Sequence, residues 1–241
     1  MARILITAGP TYEPIDSVRF IGNRSSGKLG SNLADRAAEL GWEVRLLLGP
    51  NAITPSKSEV QVVRFGSTQE LEDALSEHLD WCNCLVMAAA VADYRPKPDE
   101  VTKDGKRRRT GNDLTIAFES TPDLLAGCSK KSRQDQLLIG FALEPHDQLE
   151  SSALRKLAKK NIDLIVANPL ETMDGDSIDA RLIGNSEKGL DVDINTGGAI
   201  CKSEFAGWLL GHLEGLVAQR MESTVSKEDL QHTESSAHVE L

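Results

Sequence analysis

A segment rich in glycine and serine near the amino terminus has the residue types needed to bind an anion. Residues 22–28 read Gly-Asn-Arg-Ser-Ser-Gly-Lys, which fits the G-x4-G-K core of a phosphate-binding loop. Two features depart from that loop. Leu29 stands where a Ser or Thr usually holds Mg2+, and the preceding predicted strand ends about 15 residues earlier instead of running directly into the loop. A G-x-G-x-x-G fingerprint is absent, which argues against an NAD(P)-dependent oxidoreductase.

The same segment lies at the predicted start of a helix, where backbone N–H groups and the helix dipole attract negative charge. On this basis we predict that the following residues bind a phosphate group: Gly9, Ser25, Ser26, Gly27, Lys28 and Gly30. The alternative is a helix capped by one of the two serines, in which the glycines serve close packing alone.

Small and polar residues follow other predicted strands. Residues 88–92 read Ala-Ala-Ala-Val-Ala, which lets a ligand approach the backbone, and we expect Ala90 to contact substrate. Asp93 comes next and either holds Mg2+ or a sugar hydroxyl, or is an ordinary turn residue. Phe141 either belongs to the core or lies against a base. Asn168 follows a strand at the edge where parallel sheets bind ligands.

Two groups of basic residues could meet a polyanion. Residues 103–109, which include Lys106, hold five cations in seven positions, so they form either a solvated loop or a mobile lid. Lys156 and Lys160 are spaced i and i+4 on a predicted helix and therefore share one face. On spacing alone, that face is an ordinary solvated one.

Strands and helices that would position these residues alternate as far as about residue 167. Strands are predicted at 4–7, 43–48, 60–63, 84–88, 114–118, 137–142 and 162–167, and helices at 26–40, 68–79, 122–128, 147–160 and 203–221. This alternation predicts an α/β fold with a Rossmann-like, doubly wound and mainly parallel sheet. We also predict a basic flap within residues 90–111, and a small antiparallel extension from residues 181–183 and 190–194.

Composition is that of an ordinary globular protein and excludes several classes. The 241 residues suffice for one α/β domain, predicted at 1–221, and residues 222–241 form an acidic, apolar-poor segment that we predict to be a disordered tail. No apolar run approaches membrane-spanning length and the first residues do not resemble a signal peptide, so we expect no membrane association and a cytoplasmic location. A net charge of −10 argues against nucleic-acid binding.

Cysteine and histidine spacing gives no support for a metal site. Cys82 and Cys84 form a C-x-C pair, whereas structural metal sites usually use two C-x2-C pairs. We therefore expect reduced cysteines and no metal bound by protein ligands alone.

Taken together, these segments resemble one family, the phosphopantothenate–cysteine ligases, also called phosphopantothenoylcysteine synthetases. Three matching motifs are Ile-Leu-Ile-Thr-Ala-Gly-Pro-Thr at 4–11, Val-Arg-Phe-Ile-Gly-Asn-Arg-Ser-Ser-Gly-Lys-Leu-Gly at 18–30, and Ala-Ala-Val-Ala-Asp-Tyr-Arg-Pro at 89–96. Further matches are at 114–116, 122–126, 140–142 and 160–168. The resemblance covers about residues 2–220, and its first two motifs are specific to the family.

The resemblance implies a ligase of coenzyme A biosynthesis that joins 4′-phosphopantothenate to L-cysteine. In that reaction a carboxylate attacks the α-phosphorus of a nucleoside triphosphate and releases pyrophosphate. The cysteine amine then displaces the nucleoside monophosphate. Because residues 90–96 look like those of bacterial members, the resemblance implies CTP as the nucleotide, an acyl-cytidylate intermediate and release of CMP, with Mg2+ screening the triphosphate.

The resemblance also implies roles for individual residues. Asn23 matches the residue that contacts the acyl intermediate, Arg19 matches an arginine needed for its conversion, and Lys106 matches the first lysine of a K-x-K-K flap motif. The implied triphosphate loop contains Ser25, Gly27 and Gly30. The implied nucleotide contacts are Asp93, Phe141, Lys156, Lys160 and Asn168.

This sequence departs from the family pattern in three places. The flap carries arginine at residues 107–109, residues 120–121 are Ser-Thr where Lys-Asn is usual, and Pro145 stands where Thr often follows Glu. Arginine and lysine are not interchangeable, so the sequence does not decide which flap cation approaches the substrate.

Two further expectations follow from the resemblance. Relatives pair near the flap, so we expect a homodimer, and we expect either a stand-alone ligase or a domain cut from a bifunctional flavoprotein. The competing hypothesis is a nucleotide-binding regulatory module that has lost the chemistry. The presence of Arg19, Asn23 and Lys106 argues against it.

Overall fold

Strands and helices follow one another along the part of the chain that the computed structural model describes, namely residues 1–109, 111, 113–173 and 175–237. The strands there are β1 (Arg3–Ala8), β2 (Tyr12–Pro14), β3 (Phe20–Gly22), β4 (Glu43–Leu48), β5 (Gln61–Arg64), β6 (Cys84–Met87), β7 (Tyr94–Pro96), β8 (Phe118–Ser120), β9 (Leu137–Glu144), β10 (Leu164–Pro169), β11 (Ser177–Ile178), β12 (Arg181–Gly184), β13 (Asp193–Asn195) and β14 (Ile200–Cys201). The α-helices are α1 (Lys28–Glu39), α2 (Thr68–His78), α3 (Leu124–Lys131), α4 (Leu149–Lys160) and α5 (Lys202–Ala237).

Eight of these strands form one sheet in the order β13-β12-β10-β9-β6-β1-β4-β5. The strands from β5 to β10 are parallel to their neighbours, whereas β12 and β13 add an antiparallel edge. The chain builds outward from β1 through β4 and β5, then returns to the other side of β1 with β6. This confirms the predicted doubly wound, mainly parallel sheet with a small antiparallel extension. Its switch point lies between β1 and β6.

Alternate residues of the central strand face two separate hydrophobic layers. Ile4 of β1 belongs to a cluster that includes Leu33 of α1 and Phe205 of α5. Leu5 points to the opposite cluster, which includes Leu71 of α2 together with residues of α3 and α4. The sheet is therefore covered on both faces, which is why its strands are apolar almost throughout.

The region predicted as a long loop contains a short antiparallel ladder, and the flap contributes one strand to a second ladder. Strand β2 pairs with β3, and β7 pairs with β8. The strand predicted at 114–118 is wrong in its bounds, because pairing with β7 begins at Phe118 and Leu114 is exposed. The two hairpins contact each other through β2 and β7.

The last helix continues to Ala237, well past the end predicted near residue 221. Residues 222–237 contain no Gly or Pro, and extending an anchored helix avoids the cost of nucleation. Backbone in the segment predicted as a disordered tail is thus helical up to residue 237, and residues 238–241 lie outside the described residues. Neither α5 nor any other described helix has the length and apolar character needed to cross a bilayer.

Candidate functional site

A cleft of about 640 Å3 opens at the carboxyl edge of the sheet, where β1 and β6 end side by side. This is the topological switch point, the place where doubly wound sheets bind ligands. One wall is formed by residues 22–30 and the other by residues 88–91 with Asp93. The remaining described lining residues are Phe141, Leu143, Asn168, Thr172, Met173, Ile178 and Lys202. We refer to this space as the carboxyl-edge cleft.

Residues 22–28, which we call the glycine–serine loop, lead into α1 through a left-handed residue, Gly27, whose φ is 68°. The predicted serine cap is therefore wrong, because Gly27 itself is the N-cap. The hydroxyls of Ser25 and Ser26 instead accept from the backbone N–H groups of Gly27 and Lys28, each at 3.4 Å, in the turn before the helix. Since the first turn of α1 lines the cleft, backbone N–H groups that a helix terminus leaves unpaired lie there.

The loop glycines are required by close packing of α1 against the end of β1. A Cβ atom on Gly9 or Gly27 would lie 2.7 or 2.6 Å from the Cβ of Ala52, and one on Gly30 would lie 2.4 Å from the Cβ of Ala8. This was the alternative interpretation of the sequence, and the packing it describes is real. The same packing brings the first turn of α1 to the cleft, so the two interpretations are compatible.

The opposite wall is fixed by side chains that bind its backbone. The Thr11 hydroxyl accepts from the N–H of Ala92 at 2.9 Å. The Asn23 side-chain amide donates to the carbonyl of Val91 at 2.9 Å and so links the two walls. Asn23 and Ala90, for which substrate contacts are predicted, both line the cleft.

Side chains at the ends of β9, β10 and β6 complete the lining. Phe141 is half-buried, packs against the α1–α5 hydrophobic cluster and also lines the cleft, and its contact with a base stays a prediction. Asn168 is buried, and its amide donates to the Thr172 hydroxyl at 2.9 Å. Asp93 is exposed and is the one carboxylate among the described lining residues.

Two lysines lie at the cleft, and sequence reasoning found one of them. Lys28 forms an ion pair of 2.6 Å with Asp176, and this hydrogen bond lowers the pKa of the Asp176 carboxyl. Lys202, which was missed, is buried and donates through Nζ to the Met173 carbonyl at 3.3 Å. No motif marks Lys202 in the sequence, because it follows the two-residue strand β14 at the start of a helix.

Arg19 and Lys106 are not among the described residues that line this cleft. The Arg19 guanidinium pairs with Asp16 and donates to the Arg107 carbonyl at 2.8 Å, so it joins the β2–β3 hairpin to the flap. The guanidinium holds the pKa of Asp16 well below its ordinary value. Arg19 lines a separate cavity of about 570 Å3, and Lys106 is exposed next to the Arg107 contact.

Lys156 and Lys160 also lie apart from the described lining. Lys156 pairs with Glu144 at 2.8 Å, and Lys160 pairs with Asp123 at 2.6 Å. Both ammonium groups therefore have protein carboxylates beside them. Their assignment as nucleotide contacts stays a prediction.

The lining favours an anionic ligand over a cationic one. Backbone N–H groups, hydroxyls, carboxamides and two ammonium groups share the cleft with a single described carboxylate, and charge-assisted hydrogen bonds to phosphate are strong. The described lining contains no Cys or His, and no described group of three or more His, Cys, Asp or Glu side chains is placed to hold a metal ion. Charge stabilisation is the chemistry that this lining supports.

Comparison with known proteins gives consistent matches. The model of the family described as the DNA/pantothenate metabolism flavoprotein C-terminal domain matches residues 1–204. A cysteine/cysteine sulfinic acid decarboxylase from an unknown prokaryotic organism is 44% identical over 169 residues, which are 70% of this chain and 46% of that protein. The coenzyme A biosynthesis bifunctional protein CoaBC of Bacillus subtilis is 38% identical over 168 residues, 70% of this chain and 40% of that protein.

A solved structure matches over nearly its full length. The crystal structure of the C-terminal domain of the coenzyme A biosynthesis bifunctional protein CoaBC superposes with a TM-score of 0.74 and 35% identity, covering 90% of this chain and 96% of that one. The chain thus spans less than half the length of the two curated relatives and almost all of the solved domain.

Proposed function

Because the chain belongs to the DNA/pantothenate metabolism flavoprotein C-terminal domain family, we propose that it is a phosphopantothenate–cysteine ligase of coenzyme A biosynthesis. The observation that carries this proposal is the carboxyl-edge cleft, which gathers Asn23, Ala90, Asn168 and the glycine–serine loop around one space. The ligase resemblance gives roles to Asn23, Asn168 and the loop, and the run of small residues predicts a substrate contact for Ala90. The likeness to the CoaBC C-terminal domain extends over the elements that hold them.

The two curated relatives are named for whole proteins that extend beyond the part matched by this chain. The chain matches 46% of the decarboxylase and 40% of the bifunctional CoaBC, so neither whole-protein activity transfers directly. We assign the ligase step to the matched part because a cleft rich in N–H donors and cations suits chemistry at phosphorus and at an acyl carbonyl.

In this proposal the nucleotide is CTP, and its triphosphate lies against the first turn of α1. Backbone N–H groups, the helix dipole and Lys28 offset the phosphate charge there. Phe141 lies against the nucleoside, which Asn168 and Asp93 contact with polar atoms. If Mg2+ accompanies the triphosphate, Asp93 would be the cleft carboxylate available to hold it, and the ion would supply neutralisation of phosphate charge.

Two displacements then form the amide. The carboxylate of 4′-phosphopantothenate attacks the α-phosphorus, a carbon–oxygen–phosphorus link forms, and pyrophosphate leaves. The neutral amine of cysteine attacks the acyl carbon, the C–N bond forms, CMP leaves with the bonding electrons, and the nitrogen loses a proton. Negative charge grows on phosphate and carbonyl oxygens in both steps. The amide of Asn23 and the nearby cations stabilise this developing charge.

We propose a homodimer as the active form. Large apolar side chains are exposed on the two contacting hairpins, with 63% of Val18, 49% of Phe20 and 61% of Tyr94 accessible. Such a patch favours an interface. Arg19 is on one of these hairpins and Lys106 is next to Arg107, which Arg19 contacts, so an interface there would include both side chains. Sedimentation analysis is expected to give a dimer, and a monomer at micromolar concentration would contradict this part of the proposal.

Pyrophosphate release tests the ligase function directly. Purified protein with Mg2+ and CTP is expected to release pyrophosphate only when 4′-phosphopantothenate is present, and to release CMP when cysteine is added. Release without phosphopantothenate, or no turnover with all substrates, would refute the ligase. Tight CTP binding without turnover would favour the regulatory module. Faster turnover with ATP than with CTP would overturn the nucleotide assignment and keep the reaction.

A further inference from the structure

One buried carboxylate contacts Arg19 and the flap that carries Lys106. Asp16 lies in the connection between β2 and β3, and its side chain has no exposed surface. The resemblance gives roles to Arg19 and Lys106 and none to Asp16. Burying a charged group costs free energy unless hydrogen bonds and opposite charges replace its water. The partners of this carboxylate therefore indicate its role.

The two oxygens of the Asp16 carboxylate have different partners. Oδ1 accepts from the backbone N–H groups of Val18 and Arg19, at 2.9 and 2.8 Å, and so forms the turn itself. Oδ2 accepts from the Arg19 guanidinium, through Nε at 2.9 Å and through Nη2, and from the Arg107 N–H at 3.0 Å. One oxygen shapes the turn, and the other joins a guanidinium to the flap.

The flap is attached to this turn on both sides of Lys106. On one side, the Gly105 N–H donates to the Ser17 hydroxyl at 3.1 Å, and the Gly105 carbonyl accepts from the Ser17 N–H at 3.3 Å. On the other side, the Arg107 N–H donates to the carboxylate and the Arg107 carbonyl accepts from the guanidinium at 2.8 Å. The backbone of Lys106 is thus fixed at both neighbours, although its side chain is exposed.

Asp16 holds one edge of the Arg19 guanidinium. Nε and Nη2 form this edge, whereas no described residue accepts a hydrogen bond from Nη1. The Arg19 side chain keeps 42% of its surface exposed. A guanidinium has five N–H donors in a rigid fork, so fixing one edge leaves the other able to meet an anion at a defined angle. The same guanidinium holds the pKa of Asp16 well below its ordinary value, which keeps the carboxylate charged at neutral pH.

We propose that Asp16 is a positioning residue of the ligase and holds Arg19 and Lys106 as one cationic unit. The inference rests on the proposed function, which supplies the phosphate and acyl groups that these cations meet. Asp16 itself touches no substrate. Cations that are placed in advance stabilise developing negative charge without rearranging, and a displacement of about 1 Å lowers turnover strongly.

Asp16→Asn tests the proposal because it separates the two oxygens. The asparagine Oδ1 can still accept from the N–H groups of the turn, whereas its NH2 group cannot accept from the guanidinium or from the Arg107 N–H. Turnover per folded molecule is expected to fall about 10- to 100-fold, with the KM for CTP changed less than about threefold. Steady-state pyrophosphate release gives both constants, and circular dichroism gives the folded fraction.

A double-mutant cycle tests whether the two cations act together. Lys106→Gln is expected to lower wild-type turnover at least about tenfold, but to lower that of Asp16→Asn less than about threefold further, because residues that act as a unit are not additive. Asp135→Asn is the matched control. It removes another carboxylate bound to a guanidinium, that of Arg133 just before β9, and is expected to keep wild-type turnover.

Trypsin cleavage of the flap is a second measurement, and it requires no turnover. Trypsin cuts after lysine and arginine, and residues 103–109 contain five of them. In Asp16→Asn the flap is expected to be cut at least about fivefold faster than in wild type, since cleavage follows local opening. Asp135→Asn is expected to leave flap cleavage unchanged.

Several results would overturn the proposal. Wild-type turnover per folded Asp16→Asn molecule refutes the positioning role, and a smaller folded fraction alone indicates a purely structural one. Additive losses in the cycle refute the single unit, and unchanged flap cleavage refutes the attachment. If Asp16→Asn does not fold, Arg19→Gln replaces it, because it removes the guanidinium that binds Asp16 and the Arg107 carbonyl. The same non-additivity with Lys106→Gln and the same faster cleavage are then expected.

The two measurements also separate this inference from the ligase function. A wild type that releases no pyrophosphate, combined with faster flap cleavage in Asp16→Asn, would contradict the ligase and support Asp16 as the anchor of the unit. Normal turnover in both wild type and Asp16→Asn would support the ligase and refute the role of Asp16.

Discussion

Two cavities of similar size and similar charged lining lie at opposite edges of the same sheet, and only one of them lies at its switch point. The carboxyl-edge cleft measures about 640 Å3, and a cavity of about 600 Å3 at the other edge is lined by residues that include Arg133, Asp163, Lys188 and Arg220. We call the second one the amino-edge cavity. Its buried Asp163 pairs with Arg220 at 3.0 Å and with Lys188 at 3.5 Å, and Arg133 pairs with Asp135 at 2.9 Å.

The contrast shows that a charged cavity is not by itself a ligand site. In the amino-edge cavity, cations and carboxylates form ion pairs within the protein, so the charges hold loops and the middle of α5 together. In the carboxyl-edge cleft, cations also outnumber the one described lining carboxylate, but the first turn of α1 adds backbone N–H groups and the cleft sits at the switch point of the sheet. We therefore expect mutations at the amino edge to change stability and mutations at the carboxyl edge to change binding and turnover.

Asp163→Asn should have the largest effect on stability. Its carboxylate accepts from the Leu138 N–H at 2.8 Å and offsets two cations, so neutralising it should cost about 3–5 kcal/mol, as for other broken buried ion pairs. Urea unfolding measures the loss, and CTP affinity of the folded fraction should stay unchanged. Asp99→Asn, at an exposed position, is the control. Unchanged stability would break the comparison.

Asn23→Asp should reduce turnover and not stability, which is the converse of the result expected for Asp163→Asn. The variant cannot donate to the Val91 carbonyl and places a negative charge beside the expected phosphate and acyl groups. Turnover should fall about 100- to 1000-fold, the usual effect of losing a donor at a developing charge, with stability nearly unchanged. Steady-state pyrophosphate release and thermal unfolding measure the two quantities. Asn195→Asp, exposed on β13, is the control, and a wild-type rate in Asn23→Asp would remove Asn23 from the site.

Gly30→Ala tests whether the close packing of α1 against β1 also determines ligand binding in the carboxyl-edge cleft. Its Cβ would meet Ala8 at 2.4 Å, so α1 must shift, at a cost of about 1–3 kcal/mol for overpacking. Stability and CTP affinity should fall together. Gly211→Ala in α5 meets nothing within 4 Å and should instead stabilise by up to about 1 kcal/mol. Lower stability with normal affinity would separate the two roles.

Acid titration should reveal the pairing at the amino edge. Burial raises the pKa of Asp135, but hydrogen bonding from Arg133 outweighs it, and the pKa lies below its ordinary value. The stability from this pair is present above the unfolded-state pKa of about 3.9 and is lost as pH falls through the lower folded-state value. The free-energy difference between wild type and Asp135→Asn should be below about 1 kcal/mol at pH 7 and should vanish in acid. A difference that grows as pH falls would contradict the assignment.

Asp176→Asn should have the smallest effect. Its pair with Lys28 is exposed, so stability should change by less than about 0.5 kcal/mol. CTP affinity should rise about two- to threefold in low salt, because Lys28 no longer has a competing carboxylate, and high salt should remove the gain. Calorimetry at two ionic strengths measures this. Weaker binding would mean that Asp176 assists the ligand.

Much of the cleft could be predicted because it depends on strand order and local geometry. Short continuous apolar runs located the buried strands, and in a doubly wound sheet their carboxyl ends converge, which is why Phe141, Asn168 and Asp93 could be placed at this edge. The loop spacing from Ser25 to Gly30 located the first turn of α1. Each of these signals lies within a few residues of the side chain it predicts.

The rest depends on partners that are distant in sequence. Lys160, to which the resemblance assigns a nucleotide contact, pairs with Asp123 on another element, and no local pattern reveals that partner. Arg19 is drawn to Asp16 and the Arg107 carbonyl, away from the described cleft lining. Lys202 reaches the cleft because the short β14–β11 ladder places the start of α5 there, which no local pattern reveals.

The pairing of β1 with β6 sets a time scale for acquiring activity. Thr7 and Met87, which are register partners in these strands, are 80 residues apart in sequence. A ribosome adding about 5–20 residues per second completes that interval in roughly 4–16 s. During that time β1 can pair with β4, but the two walls of the cleft cannot meet. The nascent chain therefore passes through a stage that has a partial sheet and no binding site. A nucleotide can act as a stabilising ligand only after that stage, when it shifts the equilibrium toward the finished fold.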